Sequence, residues 1–593
     1  MTTDFFGHRN VGEAFAARVA AHPDRVALTI HLGPHGPEPE SLTFAELDRR
    51  SRLRAAELAE RLAVGERVLL ALPTSSEFVE TYLACLMAGL VAVPVPVPGG
   101  SAHATARVAA IVRDCTPGLV LTTRRDQLDL SEWFFAQGLE VPVEAVERVA
   151  DGEAPAGPLP VTGPDTLGVL QYSSGSTGTP KGVMLSHGNI IANAEAFSVD
   201  GGFGPDSRFG NWIPLHHDMG LFTQLTTALL LGAFSALMPP AEFVKRPVEW
   251  LRMMDHYRIT TSAAPNFAFD LCLRLVSDAH LAELDLSCLT FVANGSEPIH
   301  GPTLRAFIER FAAAGLAPNA IAPGYGLAEA TVFVCAKAPE PNPNILTIDE
   351  AAAERGEIRT AAEGRELVGL GRPGGFESVI VDPESRRELP EGRVGELWLR
   401  GASVGSGYWN RPELTGPVFG ARIEGGDDRV WMRTGDLGTL IDGELFVTGR
   451  LKEMLVVRGR NLFPQDLEQE ARSAHPALVG FFGAAFAVPA PDERIVLVHE
   501  VSPKVRDAEL PAVASAVKQG LTGALGAPLR NVVLVRRGSV RRTTSGKIQR
   551  TTMRELFLSG ELTAVHADLE PAVRLLAAAE PVAPAAVVLG GAA

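Results

Sequence analysis

The sequence predicts an α/β protein: a large N-terminal domain of layered α/β sheets ending in a small β subdomain, then a small α+β C-terminal domain. Three observations carry this prediction. Helical and extended patterns alternate up to about residue 200, short strands punctuated by Asp-Pro, Glu-Gly and Asp-Gly follow residue 370, and helix mixes with strand again beyond residue 450. At 593 residues the chain has room for several domains.

Taken in order, Asn10-x-x-Glu13 and Thr43-x-x-Glu46 read as capping boxes, each opening a helix. Val11, Phe15 and Val19 give the first its apolar face; Phe44, Leu47 and Leu58 give the second, which Gly65 closes. Apolar runs at 68–72, 91–97 and 119–121, separated by helical stretches, have the pattern of buried parallel strands. The apolar stretch 82–98 is broken by Pro94, Pro96 and Pro98 and reads as a buried helix running into a strand, with no membrane span. Another strand, 166–172, leads into the run Gln171-Tyr172-Ser173-Ser174-Gly175-Ser176-Thr177-Gly178-Thr179-Pro180-Lys181-Gly182. Later strands are expected at 379–381, 396–400, 430–433 and 444–448, forming an antiparallel subdomain, and at 495–501 and 531–535 in the last domain. The Ala/Pro-rich tail from Ala577 is expected to be disordered, and no internal repeat is apparent.

Acidic residues outnumber basic ones 70 to 54, a formal charge of −16. That balance argues against a nucleic-acid or anionic-membrane surface, so any basic site must be local. The five cysteines, Cys85, Cys115, Cys272, Cys288 and Cys335, are scattered without C-x-x-C spacing, which suggests neither a disulfide framework nor a zinc site. With a polar, charged segment at residues 1–10 in place of a secretory signal, a cytoplasmic location is expected.

The run after strand 166–172 has the composition of a polyphosphate loop. Its glycines let the backbone turn and approach a ligand, Ser174, Ser176 and Thr177 supply donors, and Lys181 supplies positive charge. It does not fit the Walker A pattern, since the lysine precedes the last glycine. Four further segments carry chemistry. Gly324-Tyr325-Gly326-Leu327-Ala328-Glu329 sets a ring between glycines, with a carboxylate four residues beyond that ring. Arg433-Thr434-Gly435-Asp436 reads as a strand ending in an acid suited to vicinal hydroxyls. Charged residues at Gly449-Arg450-Leu451-Lys452-Glu453 and 459–468 mark a domain junction, and Thr543-Thr544-Ser545-Gly546-Lys547 is a second hydroxyl-Gly-Lys loop, in a local basic run. Alone, the Tyr325 segment reads equally well as a turn before a capped helix, and each of the other three reads more readily as a turn, a solvated linker or an exposed loop.

Together and in this order, over nearly the whole chain, these segments resemble the adenylate-forming superfamily of acyl-CoA synthetases, peptide-synthetase adenylation domains and luciferases. Within it the resemblance is to the fatty acyl-AMP ligases, through Trp212-Ile213-Pro214-Leu215-His216-His217-Asp218-Met219-Gly220, Asn294-Gly295-Ser296-Glu297-Pro298 and the 459–468 run. The chain departs from that pattern at His216, where relatives usually carry an aromatic, and at Arg541, where a Pro-Arg pair is more usual.

The resemblance implies that a fatty acid attacks ATP to give acyl-AMP and pyrophosphate, and that the phosphopantetheine thiol of an acyl carrier protein on a separate chain then takes the acyl group. It implies catalytic roles for Lys547, Glu329 and His217. Ser174, Gly175, Ser176, Thr177, Gly178 and Lys181 would hold phosphates; Asn294, Gly295, Ser296, Gly324, Tyr325 and Gly326 the adenine; Asp436 and Arg450 the ribose. Glu329 and Thr177 would ligate Mg²⁺, and Phe222, Leu225, Phe267 and Phe269 would line the acyl pocket. Lys452 falls where the family has its hinge, which makes the C-terminal domain mobile and divides the chain into 1–451, 452–576 and a 577–593 tail. The segment 338–371, ahead of a β subdomain at 372–451, is a candidate for the insertion that disfavours CoA, with Ile345, Leu346 and Ile358 as anchors if it docks. An acyl- or aryl-CoA synthetase, or a silent acyl- and nucleotide-binding module on the same fold, remain open alternatives.

Overall fold

Apolar runs from the first 340 residues pair into two mostly parallel sheets in a computed structural model. It describes residues 7–33, 36, 38–98, 102–146, 160–173, 180–336, 343–457, 460–489, 494–525, 529–542 and 546–578. The chain divides into two compact units, Met1–Gly175 with Thr179–Thr448, and Ser176–Gly178 with Gly449–Ala593.

In the first unit a six-stranded sheet runs Val143–Ala145, Leu119–Thr122, Arg67–Leu70, Val91–Pro94, Leu167–Ser173, Lys181–Ser186. The first five are parallel, and the last returns antiparallel from Leu167–Ser173. The eight-stranded sheet runs Phe333–Ala336, Ile321–Gly326, Phe291–Asn294, Thr261–Ala264, Arg208–Asn211, Phe234–Leu237, Val26–Ile30, Glu40–Thr43. Its inner pairings are parallel and each edge strand is antiparallel. Near-continuous burial of these strands is what parallel sheets require, since the crossover helices that connect them cover their faces.

Helix starts follow local hydrogen-bond chemistry. Asn10 and Thr43 accept from the backbone of Glu13 and Glu46, as the sequence predicts, opening helices Val11–Ala21 and Phe44–Ala59. The reciprocal half of each box is absent, because Glu13 takes the Arg9 amide and guanidinium, while Glu46 takes Arg49 and Arg50. An arginine within one turn is a stronger partner for a carboxylate than a backbone N–H.

A four-stranded antiparallel sheet, Glu377–Val381, Gly395–Arg400, Met432–Ile441 and Glu444–Arg450, forms the β subdomain. Two sequence expectations change here. Val430 lies outside the strand and is exposed, and the strand does not end at Asp436 but continues to Ile441. The segment ahead of this sheet forms a hairpin, Ile345–Ile348 with Arg365–Val368, docked by Ile348, Ile358 and Leu367 onto Phe446 and by Arg305 onto Glu366. Of the expected anchors Ile358 is buried, whereas Ile345 and Leu346 are only partly so; Ile348 carries more of the contact.

The second unit has a sheet of its own: Gly483–Val488, Arg494–Glu500, Asn531–Val535, Ala564–Asp568. Alternation divides it cleanly. Ala485, Leu497, Val532 and Leu534 pack on helices Pro464–Ser473 and Leu510–Leu525, while Ala484, Val496, Val498, Val533 and Val535 pack on Arg550–Leu558 and Pro571–Ala578. The last helix ends at Ala578, so the tail expectation falls on residues outside those described.

His187 makes the large unit acid-sensitive. It is fully buried at the start of helix His187–Gly201, where Nδ1 accepts from the Val11 amide and Nε2 has no partner. Burial holds its pKa down at about 4 against an ordinary 6.5, so the unfolded chain takes up a proton first. The stability held by the neutral ring is complete above pH 6.5 and drains as pH falls toward 4, by about 1.4 kcal/mol per pH unit. His187→Gln should flatten the fall in melting temperature between pH 6.5 and 5, measured by calorimetry against the parent protein.

Candidate active site

Polar residues of the first unit gather where its parallel strands end, the place at which open α/β sheets bind ligands. Asn294 ends its strand in register with Ala264 and Pro323. Its amide donates to Asn266 at 3.3 Å, while its Oδ1 is buried without a partner. Beyond it, a Cβ on Gly295 would stand 3.1 Å from the Gly324 carbonyl, and Ser296 adopts φ +69 with its hydroxyl on the Met219 sulfur. Residues 294–296 and the strand segment 324–326 are therefore neighbours. Gly326 must be glycine, because a Cβ there would collide with the Val332 carbonyl.

Tyr325 donates its hydroxyl to Asp436 Oδ2 at 2.6 Å, joining a ring and a carboxylate 111 residues apart. Asp436 reaches this position through a bulge. Trp398 pairs with Arg433 but Glu396 with Leu437, so residues 434–436 crowd opposite Leu397, and Gly435 adopts φ +73. Glu396, which sequence reasoning missed, holds the bulge. Buried in the adjoining strand, it accepts from the Gly435 amide, the Trp398 indole and Arg433. Its only sequence signal is a carboxylate at an inward-facing strand position.

Glu329 lies on a short 3₁₀ turn, Ala328–Ala330, followed by Thr331 at φ +69. Its Oε1 accepts the Tyr408 hydroxyl at 2.7 Å, and the Lys181 ammonium lies 5.3 Å from the centre of the same ring. Tyr408 thus joins two expected site residues and was itself not singled out; the Gly-Tyr pair at 407–408 is its only local signal. Among the described residues no group of three or more His, Cys, Asp and Glu could hold a metal ion. One carboxylate suits Mg²⁺ carried in by phosphates, which needs few protein ligands.

The 212–220 segment leads into a π-helix, Met219–Thr226, a form that recurs at functional sites. Hydroxyls of Thr226 and Thr227 bond carbonyls five residues back, filling the wide turn. His217 Nδ1 lies 2.8 Å from Asp218 Oδ1. His216 is held neutral, its pKa pressed down to about 3 by burial and by the nearby His217 and Arg107. Of the expected acyl-pocket residues, Phe222, Leu225 and Phe269 are buried, Phe269 edge-on to Trp250 and Phe307; Phe267 is half-buried, edge-on to Trp212.

Arg450, Lys452 and Lys547 belong to the second unit. Arg450 is exposed at a strand end and Lys452 lies in the 3₁₀ turn Leu451–Glu453. Lys547 follows Gly546, at φ +89, and the turn is closed by a bridge between Arg542 and Ile548. Three residues on, Arg550 bonds Glu468 at 2.7 and 2.8 Å and Glu453 at 2.6 Å. The lysine turn is thereby tied to the Leu451–Glu453 turn. Ser174, Gly175, Ser176, Thr177 and Gly178 lie outside the described residues.

Residues 15–409 match the family described as AMP-binding enzyme. The chain is 37% identical over 541 residues to the medium-chain-fatty-acid–[acyl-carrier-protein] ligase JamA of Moorena producens, covering 88% of this chain and 91% of that protein. It is 38% identical over 551 residues to the putative fatty-acid–CoA ligase fadD25 of Mycobacterium tuberculosis, covering 89% and 94%. Among solved structures it is similar to a fatty acyl-adenylate ligase of L. pneumophila in complex with acyl adenylate and pyrophosphate, at 29% identity and a TM-score of 0.74, covering 96% and 99%.

The Tyr408 bridge is testable by binding. Tyr408→Phe keeps the ring beside Lys181 and removes the bond to Glu329, a hydrogen bond to a charged group worth about 1.5–3 kcal/mol. The magnesium concentration needed for half-maximal ATP binding, measured by calorimetry, should rise about tenfold or more while the melting temperature stays within a degree or two.

Proposed function

Because the chain belongs to the AMP-binding enzyme family, we propose that it is a fatty acyl-AMP ligase that activates a fatty acid with ATP and passes the acyl group to the phosphopantetheine thiol of an acyl carrier protein. The observation that carries this is the pairing of Tyr325 with Asp436 beside the Glu329–Tyr408–Lys181 cluster, in a chain similar over 96% of its length to a ligase holding acyl adenylate and pyrophosphate.

In this reading Tyr325 stacks on adenine, the unpartnered Oδ1 of Asn294 accepts from its amino group, and Asp436, with Arg450, takes the ribose hydroxyls. Lys181, with Ser174, Ser176 and Thr177, cradles the phosphates. Mg²⁺, held by Glu329 with Thr177, supplies charge neutralisation on those phosphates when bound. The fatty carboxylate then attacks the α-phosphorus, and pyrophosphate departs with the bonding electron pair. Little covalent chemistry falls to the protein, which positions the groups and offsets their charge. His217 orients the carboxylate from its Asp218-paired ring. Lys547 donates to the carboxylate and bridging oxygen in this half-reaction only, and rotation about Lys452 replaces it before thiol transfer.

Preference for a carrier protein over CoA is supported by the docked hairpin at 345–368 and by the similarity to JamA. The similarity to fadD25 favours a second reading, acyl-CoA synthesis, identical through the first step. Product analysis by mass spectrometry, with Mg-ATP, a fatty-acid series, CoA and phosphopantetheinylated carrier in one vessel, separates them. Acyl-AMP and acyl-carrier without acyl-CoA is the expected outcome; abundant acyl-CoA would overturn the acceptor, and no adenylate from any acid the whole reading. Lys547→Ala should cut adenylate formation by about a hundred- to a thousand-fold, while transfer from supplied acyl-AMP persists. Ile348→Asp, which undocks the hairpin, should raise acyl-CoA relative to acyl-carrier in the same assay.

A further inference from the structure

Arg107 is a largely buried cation with no carboxylate partner among the described residues. It stands in helix Ala102–Cys115, whose Val108, Ile111, Val112 and Cys115 pack on the six-stranded sheet. Two turns further on and on the same face, Asp114 accepts the Tyr172 hydroxyl at 2.6 Å and pairs with Arg411 at 2.7 Å. That face thus looks onto strand Leu167–Ser173. The helix follows strand Val91–Pro94, which runs parallel to Leu167–Ser173, so Arg107 stands toward the edge where both strands end.

At that edge Gln171 donates to the His216 carbonyl at 3.0 Å, and Arg107 is close enough for its charge to bear on the His216 imidazole. The His216 imidazole is itself uncharged. The Arg107 Nε is buried with no hydrogen-bond partner, and among the described residues no carboxylate pairs with the guanidinium. Three other largely buried arginines hold carboxylates: Arg50 holds Glu40, Glu46 and Glu80, Arg433 holds Glu396, and Arg550 holds Glu453 and Glu468. Burying a guanidinium unpaired costs several kcal/mol, so a protein keeps one where a ligand supplies the anion.

We propose that Arg107 binds the β- and γ-phosphates of ATP and holds them as they leave as pyrophosphate. The inference rests on the ligase reading above. As the carboxylate oxygen bonds to the α-phosphorus, the bond from that phosphorus to the bridging oxygen breaks, and the electron pair goes to the pyrophosphate. A planar guanidinium matches phosphate oxygens two at a time. In a chain of net charge −16, the polyphosphate is also the ligand that most needs a further local cation. A single fatty carboxylate is the competing anion.

The test uses the full-length protein, with inorganic pyrophosphate and magnesium as the binding probe. Arg107→Met should bind pyrophosphate at least tenfold more weakly by calorimetry and raise the KM for ATP by a similar factor. The KM for the fatty acid should stay unchanged, and the ligand-free melting temperature unchanged or higher, because an unpaired buried charge has been removed. A lower melting temperature with pyrophosphate binding intact would make Arg107 a structural residue and overturn the proposal; so would a change confined to the fatty-acid KM. If Arg107→Met does not fold, Arg107→Lys decides, since it keeps the charge but loses the fork: pyrophosphate binding weakened about tenfold supports the role and unchanged binding removes it. If the parent protein forms no adenylate from any acid, the ligase reading fails, while the pyrophosphate titration still judges Arg107.

Discussion

A protein with 70 acidic and 54 basic residues that handles a polyphosphate must bring positive charge to one place and keep its own carboxylates from cancelling it. The first unit meets that constraint with geometry. Tyr408 donates to the Glu329 carboxylate while its ring faces the Lys181 ammonium, so one side chain touches both an anion and a cation. Glu396 absorbs Arg433 and Asp114 absorbs Arg411, while among the described residues no carboxylate takes Arg107.

The same elements explain how far the sequence could be read. Buried parallel strands announce themselves as continuous apolar runs, and those at 68–72, 91–97 and 119–121 were legible for that reason, as were helix starts at Asn10 and Thr43. Motif residues in loops were singled out by their composition. What could not be read joins residues far apart in the chain. Tyr408 meets Glu329 across 79 positions and Tyr325 meets Asp436 across 111, with no local pattern to signal either bond. The bulge at Gly435 was misjudged because a glycine before an acid marks a strand's end as readily as its kink. The half-made capping boxes failed for a local reason: arginines one turn away outcompete the backbone for Glu13 and Glu46.

The second unit shows a different economy. Its polar interior is organised about Arg550, whose two carboxylate partners lie on separate segments, one in the Leu451–Glu453 turn and one in helix Pro464–Ser473. Glu468 also accepts the Ala485 amide, so the ion pairs are anchored to the sheet. A buried arginine bound on several sides is costly to disturb. The turn bearing Lys547 and the turn bearing Lys452 are consequently fixed relative to each other within this unit.

The pairing of Val26–Ile30 with Phe234–Leu237 has a consequence for how the chain is made. Strand Val26–Ile30 must wait some two hundred residues for its parallel neighbour, and the eight-stranded sheet is not complete until Phe333–Ala336 has emerged. Non-local parallel pairing of this kind folds slowly and leaves apolar edges open meanwhile. The unit that begins at Gly449 brings its own sheet and both of its cores, and can close without a distant partner. Misfolding in a cell short of chaperones will therefore begin in the large unit, and overproduced protein should fail first as aggregates seeded by its N-terminal strands.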